Sequence, residues 1–296
     1  MLSRIGRFSA ILVLATAASH LAGAAEPARV TILYDAFGPQ SPLTKDWGFA
    51  ALVEYGGKRV LFDTGNDAEI LEHNVKRLGV DLSRLDAVVI SHRHGDHTSG
   101  LGYVLRVNPD VGIFAPQEGA FFGSVPPTGF LARHPGLPED LRYYDGHAPQ
   151  RWATGTPWEG ADFSIVNGTT EILPGIHALT TRSQKPGTLE MNELSLAIRT
   201  PLGLAVVVGC SHPGVETILQ AAVSIDSRIY TVLGGFHLVM TTRDDIERTA
   251  EMLAGMLKVQ RVAPGHCTSE LGFSVFRDRF DERFDRAGVG DVIPLP

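Results

Sequence analysis

The segment Ser91-His92-Arg93-His94-Gly95-Asp96-His97 directly follows the apolar run Ala87-Val88-Val89-Ile90. This pairing constrains the chain more than any other feature. A short continuous apolar run reads as a buried strand, so three imidazoles and a carboxylate stand together at one strand end. Both groups are ligands for zinc, iron and related ions. A lone histidine on an apolar face is usually a satisfied core residue. To be read that way, a His-x-His-x-Asp-His run would need a separate partner for each of its four polar side chains, so the spacing points to a metal site.

The chain opens on a different signal. Arg4 and Arg7 precede an apolar stretch from Phe8 to about Ala18, and Ala22-Gly23-Ala24 has the small-residue pattern of a cleavage site. Residues 1–24 therefore read as a secretory signal peptide, and the mature protein is expected to be secreted or periplasmic. The apolar stretch is too short for a membrane span, so no stable membrane anchor is expected after cleavage. Removing Arg4 and Arg7 takes Lys+Arg from 26 to 24 against 33 Asp+Glu, leaving a net charge of −9. An acidic surface argues against nucleic acid and for a small-molecule substrate, because phosphate backbones call for clustered Lys and Arg.

Residues 28–296 are expected to form a single α/β domain. Val30–Tyr34 reads as a strand, and the runs 49–55 and 59–63 flank Gly56-Gly57 as a hairpin. Residues 67–78 have helical spacing, with Gly79 suited to the helix end. Residues 116–160 form an insertion rich in proline and aromatics, which could fold over the site or carry a small core of its own. Beyond it, strands are expected at 175–180, 194–198, 204–208, 229–233 and 259–263. Helices are expected at 215–224, 244–257 and 271–284. The two halves are alike, and two sheets back to back with helices outside would bury these strands on both faces.

Three further histidine turns follow apolar strands: Gly209-Cys210-Ser211-His212-Pro213-Gly214, Gly234-Gly235-Phe236-His237-Leu238 and Pro264-Gly265-His266-Cys267-Thr268. Binding residues gather where loops converge at strand ends, so these turns are expected to share a site with His92–His97. Asp63 ends a strand in Phe62-Asp63-Thr64-Gly65. It reads as the carboxylate that orients a ligand histidine or as a turn or capping residue. Asp67 is the alternative helix cap.

Taken together, Asp63, the His-x-His-x-Asp-His run and the later histidine turns resemble the metallo-β-lactamase superfamily, from about residue 30 to residue 290. The later turns are similar to a narrower branch, which contains an archaeal enzyme that joins a pterin to a ribofuranosyl-aminobenzene phosphate. The resemblance implies a four-layer αβ/βα sandwich of two mixed sheets with helices outside. It also implies two divalent ions, zinc first, with manganese, iron or magnesium as alternatives. The chain departs from the wider pattern in having no histidine between Thr180 and Ser195, and Cys210 stands where a bridging aspartate is usual. His212 is therefore assigned in place of the missing imidazole. The implied ligands are His92, His94 and His212 for one ion and Asp96, His97 and His266 for the other.

In that scheme Asp96 also serves catalysis by offsetting charge, and His237 donates a proton, binds substrate or is a plain loop histidine. Asp63, Cys210 and Cys267 are placed behind the ligands. Direct thiolate ligation, buried packing and a disulfide stay open for the cysteines. The implied activity is an exported metal-dependent hydrolase acting on a small-molecule ester, phosphoester or lactone. A pterin-joining transferase and a non-catalytic metal-binding module are the alternatives.

Overall fold

The computed structural model describes residues 28–122 and 160–296, together with residues 136, 138, 142 and 158. The expected leader and most of the 116–160 insertion lie outside the described residues. The first half runs β1 (Arg29–Tyr34), β2 (Ala50–Tyr55), β3 (Lys58–Phe62), α1 (Ala68–Leu78), β4 (Ala87–Val89), α2 (Gly95–Thr98), α3 (Leu101–Val107), β5 (Ile113–Pro116) and α4 (Gly119–Phe122). The second half runs β6 (Phe163–Val166), β7 (Thr170–Leu173), β8 (Ile176–Arg182), β9 (Asn192–Thr200), β10 (Gly203–Val208), α5 (Val215–Ala222), β11 (Ile229–Gly235), α6 (Arg243–Glu251), β12 (Arg261–Gly265), α7 (Glu270–Phe280) and β13 (Val292–Pro294).

The strands form two mixed sheets, ordered β13-β1-β2-β3-β4-β5-β6 and β12-β11-β10-β9-β8-β7. The faces that meet between them bury Val30, Ile32, Phe49, Phe62 and Val89 from one side and Ile176, Leu194, Leu196, Ile198, Val207 and Leu233 from the other. Each fully buried side chain of this size contributes about 1.5–3 kcal/mol. The outer face of the first sheet packs against α1 and α3 through Leu71, Val75, Leu101 and Val104. That of the second packs against α5, α6 and α7 through Ile218, Leu219, Ile246, Val275 and Phe276. This is the expected sandwich with helices outside.

Local signals explain most boundaries. Asp67 caps α1 by accepting from the backbone N–H groups of Glu69 and Ile70, and Gly79 closes the helix at φ 67°. The helix expected over 244–257 stops at Glu251 and continues as a wider π-type turn, Met252–Met256, that Lys258 ends at φ 51°. The helix expected to reach Phe284 ends at Phe280, where Asp281 turns to φ 50°. The strand expected at 259–263 is β12, Arg261–Gly265. It is the edge strand of its sheet, where a proline such as Pro264 is tolerated. Helix α3 and strands β5, β6, β7 and β13 carry no strong pattern in the sequence. At the borders of the insertion, Phe121, Phe122 and Trp158 pack with Phe163 on the outer cluster of the first sheet. Among the described residues, no helix is long and apolar enough to cross a membrane.

Candidate metal centre

Strands β3 and β4 run parallel in one sheet, and β10, β11 and β12 run parallel in the other. Their carboxyl ends deliver Asp63, the His92–His97 turn, the Cys210–His212 turn, the Phe236–Leu238 turn and the His266–Thr268 turn to one edge of the sandwich. The sequence-predicted residues converge there. Ring centroids lie 4.7 Å apart for His92 and His94, 4.6 Å for His92 and His212, and 4.9 Å for His94 and His212. Beside them, His97 Nε2 is 3.2 Å from His266 Nε2, and Asp96 Oδ2 is 3.4 Å from His266 Nε2. His237 lies next to His212, ring to ring at 4.4 Å. It also lines a cavity of about 370 Å³ with Lys185, Phe236, Leu238 and Met252.

Cys210 lies closer in than the sequence reading placed it. Its Sγ is 3.2 Å from His97 Nε2. It shares one compact set of potential ligand atoms with His92 and His212 and another with His97 and His266, each set within 4.8 Å. Cys267 stands behind, its Sγ 3.5 Å from that of Cys210, and both thiols are free.

Buried carboxylates and hydroxyls hold these side chains in place. Asp63, fully buried, takes the His97 Nδ1–H at 2.7 Å, the Ser91 N–H at 2.7 Å and the Ser91 hydroxyl at 2.7 Å. Ser91 Oγ is 2.8 Å from His92 Nδ1. Two further supports escaped the sequence reading. Glu193 on β9 accepts the backbone N–H groups of Cys210 at 3.1 Å, Ser211 at 2.7 Å and His212 at 2.8 Å, and its Oε2 is 3.0 Å from His212 Nδ1. Asp35, at the end of β1, accepts the His266 N–H at 2.9 Å. A charged residue in a strand as buried as β9 was the one available signal for Glu193, since such a group must be paired. Trp47 also went unmarked. It is 46% exposed and its ring lies 5.0 Å from that of His266.

The backbone is bent to make this site. Asp63, Ser211, His237 and His266 all adopt left-handed φ values, 58°, 64°, 49° and 45°. Each such residue costs about 1–3 kcal/mol and is retained where the surroundings over-determine it, typically at functional positions. Gly209 serves close approach, because a Cβ there would lie 2.3 Å from Ser91 Oγ and 3.0 Å from Asp63 Oδ2.

The electrostatics follow from burial and pairing. Burial holds His92 well below the ordinary histidine range, with the charges of its neighbouring imidazoles adding to the effect. Burial likewise lowers His94. For His97 burial works the same way but is outweighed by the Asp63 carboxylate, which pushes it up to about 9. Burial would raise Asp96, yet the hydrogen bond to His266 and the charges of His97 and His266 keep it well below the usual carboxylate value. The hydrogen bond to Cys267 raises His237.

These residues fit a metal. Imidazole, carboxylate and thiol form a donor set suited to zinc and its neighbours. His92 Nε2 is buried with no hydrogen-bond partner while its Nδ1 is held by Ser91. An unpaired buried nitrogen calls for an explanation, and a coordinated ion supplies one. His177 lies in β8 opposite Ala197 of β9 and belongs to none of these ligand sets, and His73 lies 3.1 Å from the Pro42 carbonyl at the surface. His134 and His147 lie outside the described residues.

The profile of the metallo-beta-lactamase superfamily matches residues 46–183. Over 280 residues the chain is 32% identical to the 7,8-dihydropterin-6-methyl-4-(β-D-ribofuranosyl)-aminobenzene-5'-phosphate synthase of Methanocaldococcus jannaschii, covering 89% of this chain and 95% of that protein. The chain belongs to the metallo-β-lactamase superfamily. It is 28% identical over 223 residues to an uncharacterized protein of the same organism, covering 75% of this chain and 83% of that one. The crystal structure of a metal-dependent hydrolase of the β-lactamase superfamily matches with a TM-score of 0.66 at 26% identity, covering 90% of this chain and 98% of that one.

Proposed function

We propose that the chain is a metal-dependent hydrolase of a small-molecule ester, phosphoester or lactone, exported with residues 1–24 as its leader. The observation that carries this reading is the convergence of His92, His94, His212, Asp96, His97 and His266 at one strand-end edge, with the buried His92 Nε2 left without a partner. His92, His94 and His212 would hold one divalent ion, and Asp96, His97 and His266 the other. When bound, such a pair supplies Lewis acidity and brings a coordinated water's pKa down to about 7.

The chain's own residues account for the rest. Asp63 fixes a proton on His97 Nδ1, leaving Nε2 as the ligand atom, and Glu193 does the same for His212. His237, raised by Cys267 and lining the adjacent cavity, holds a proton available to a leaving group. Trp47 offers an exposed aromatic face at the edge of the site for a flat or apolar substrate.

A second reading is a group transfer like that of the pterin-aminobenzene-phosphate synthase, favoured by 32% identity across nearly all of that enzyme. Assaying the metal-loaded chain on phosphoesters, lactones and pterin substrates separates the two. Hydrolysis without pterin transfer supports the first, transfer without hydrolysis replaces it with the second, and inactivity of a chain that binds no metal removes both. The N-terminus of the protein recovered outside the cytoplasm tests export, and a start at Met1 contradicts it.

A further inference from the structure

We propose that Lys185 is an anion-recognition residue, selecting substrates whose leaving group carries a carboxylate or phosphate beyond the bond that breaks. The inference rests on the hydrolase reading above and adds a substrate class to it. It starts from the cavity of about 370 Å³ beside the metal edge, a size within the range of about 300–1,000 Å³ usual for small-molecule sites. His237 belongs to both places, since it lines this cavity and lies ring to ring with His212 at 4.4 Å. A leaving group that takes a proton from His237 therefore has this space beside it. Phe236, Leu238 and Met252 give the cavity apolar walls, suited to a ring or a short chain.

The charged groups of the cavity are not equivalent. Asp245 accepts from the Thr242 hydroxyl and pairs with Arg248, so these two satisfy each other. Glu216 folds back over the start of its own helix, where a Cβ on Gly214 would lie 2.5 Å from its carboxylate oxygen. Lys185 has no ion-pair partner among the described residues. Its charge reaches His237, whose protonation it opposes. The backbone that carries Lys185 is tied to the ligand turn. Ser183, fully buried, donates its hydroxyl to the His212 carbonyl oxygen at 3.2 Å and accepts the Lys185 N–H at 3.2 Å. The Thr188 hydroxyl joins the same oxygen at 2.8 Å, and the Ser183 backbone pairs with Glu190 and Met191 to close the loop. Lys185 is thus set at a fixed offset from a proposed metal ligand, with one cation left to be answered by the substrate. An ammonium answers carboxylate and phosphate oxygens alike, as a compact charge with three donors.

The test gives the zinc-loaded full chain three acetate esters built on one phenol framework. Their leaving groups are 4-hydroxyphenylacetate, 4-hydroxybenzylphosphonate and the uncharged 4-hydroxyphenylacetamide. At least one charged ester should exceed the uncharged one in kcat/KM by about tenfold, the size of one hydrogen bond to a charged group. Which charged ester leads tells carboxylate from phosphate. In Lys185→Met that advantage should vanish, with the loss in KM rather than in kcat. Calorimetry with the three free phenols reads the same subsite without turnover. The favoured charged phenol should bind about tenfold tighter than the amide, and no tighter in Lys185→Met. Equal kcat/KM for charged and uncharged esters, or an advantage kept in Lys185→Met, would overturn the subsite while leaving the hydrolase reading in place. Uncleaved esters together with charged phenols held through Lys185 would overturn the hydrolase reading and support the subsite. Uncleaved esters with no preference among the phenols would overturn both.

Discussion

Replacing Glu193 tests how the late ligand turn is held. Its carboxylate receives four N–H groups, from the backbones of Cys210, Ser211 and His212 and from the His212 ring. The carboxylate and the His212 side chain are both essentially buried. Glu193→Ala leaves all four donors without their acceptor. An unsatisfied buried group costs about 1–3 kcal/mol, and hydrogen bonds to a charged acceptor such as this carboxylate stand at the upper end. A loss of about 4 kcal/mol is expected, a large share of the stability of an ordinary domain. Glu193→Gln keeps one oxygen for Cys210 and Ser211 but turns an N–H toward His212, so roughly half that loss is expected. It should also reduce affinity at the His212 metal position by about 10–100-fold, as removal of a ligand's outer partner typically does. Urea unfolding of the metal-free chain gives the first number and zinc titration the second. If Glu193→Ala unfolds within about 1 kcal/mol of the parent, or Glu193→Gln binds zinc as the parent does, the argument that this carboxylate organises the turn is wrong.

Three further outcomes follow from the same geometry. His94→Ala should take bound metal from two ions to one and cut activity by more than the roughly 100-fold that loss of an outer partner costs; full activity in that variant contradicts the ligand assignment. Gly209→Ala would drive a Cβ to 2.3 Å from Ser91 Oγ and should cost about 1–3 kcal/mol of overpacking in a thermal or urea melt, whereas Gly102→Ala, inside α3 with open space at its Cβ, should cost nothing and stabilise by up to about 1 kcal/mol. The third concerns pH. Burial would raise the Glu193 carboxyl, but His212 and the backbone N–H groups of Ser211 and His212 hold it below its ordinary value. Its contribution is therefore fully present above the unfolded value of about 4.3 and lost as pH falls through the lower folded value. Urea midpoints of the metal-free parent should drop in that acid window more steeply than those of Glu193→Gln, and parallel curves would refute the pairing.

What could be read from the sequence was local. The His92–His97 run follows β4 directly and runs into α2, so spacing alone announces the chemistry, and each later histidine turn follows its own apolar strand. Asp63 was legible for the same reason, since it ends β3 at the same edge. Glu193 and Asp35 were not, because each is a single carboxylate whose partners lie far along the chain, and no spacing rule connects Glu193 to His212 or Asp35 to His266. Cys210 was half legible. The strand-end position was clear, but whether its sulfur faces the ligands or the packing behind them depends on the left-handed turn at Ser211. The helix expected to reach Phe284 stops at Phe280, because the backbone reverses at Asp281 although apolar spacing continues, whereas the one expected to reach Leu257 widens into a π-type turn after Glu251 and ends only at the reversal of Lys258.

The central claim is that one edge of the sandwich holds two metal ions between the His92–His97 turn and the late histidine turns. An anomalous difference map from a crystal of the zinc-reconstituted full chain measures this directly. Two peaks about 3.5–4 Å apart are expected, one bound by His92, His94 and His212 and the other by Asp96, His97 and His266. A single peak, no peak at this edge, or two peaks whose ligands leave out His212 or His266 would contradict it.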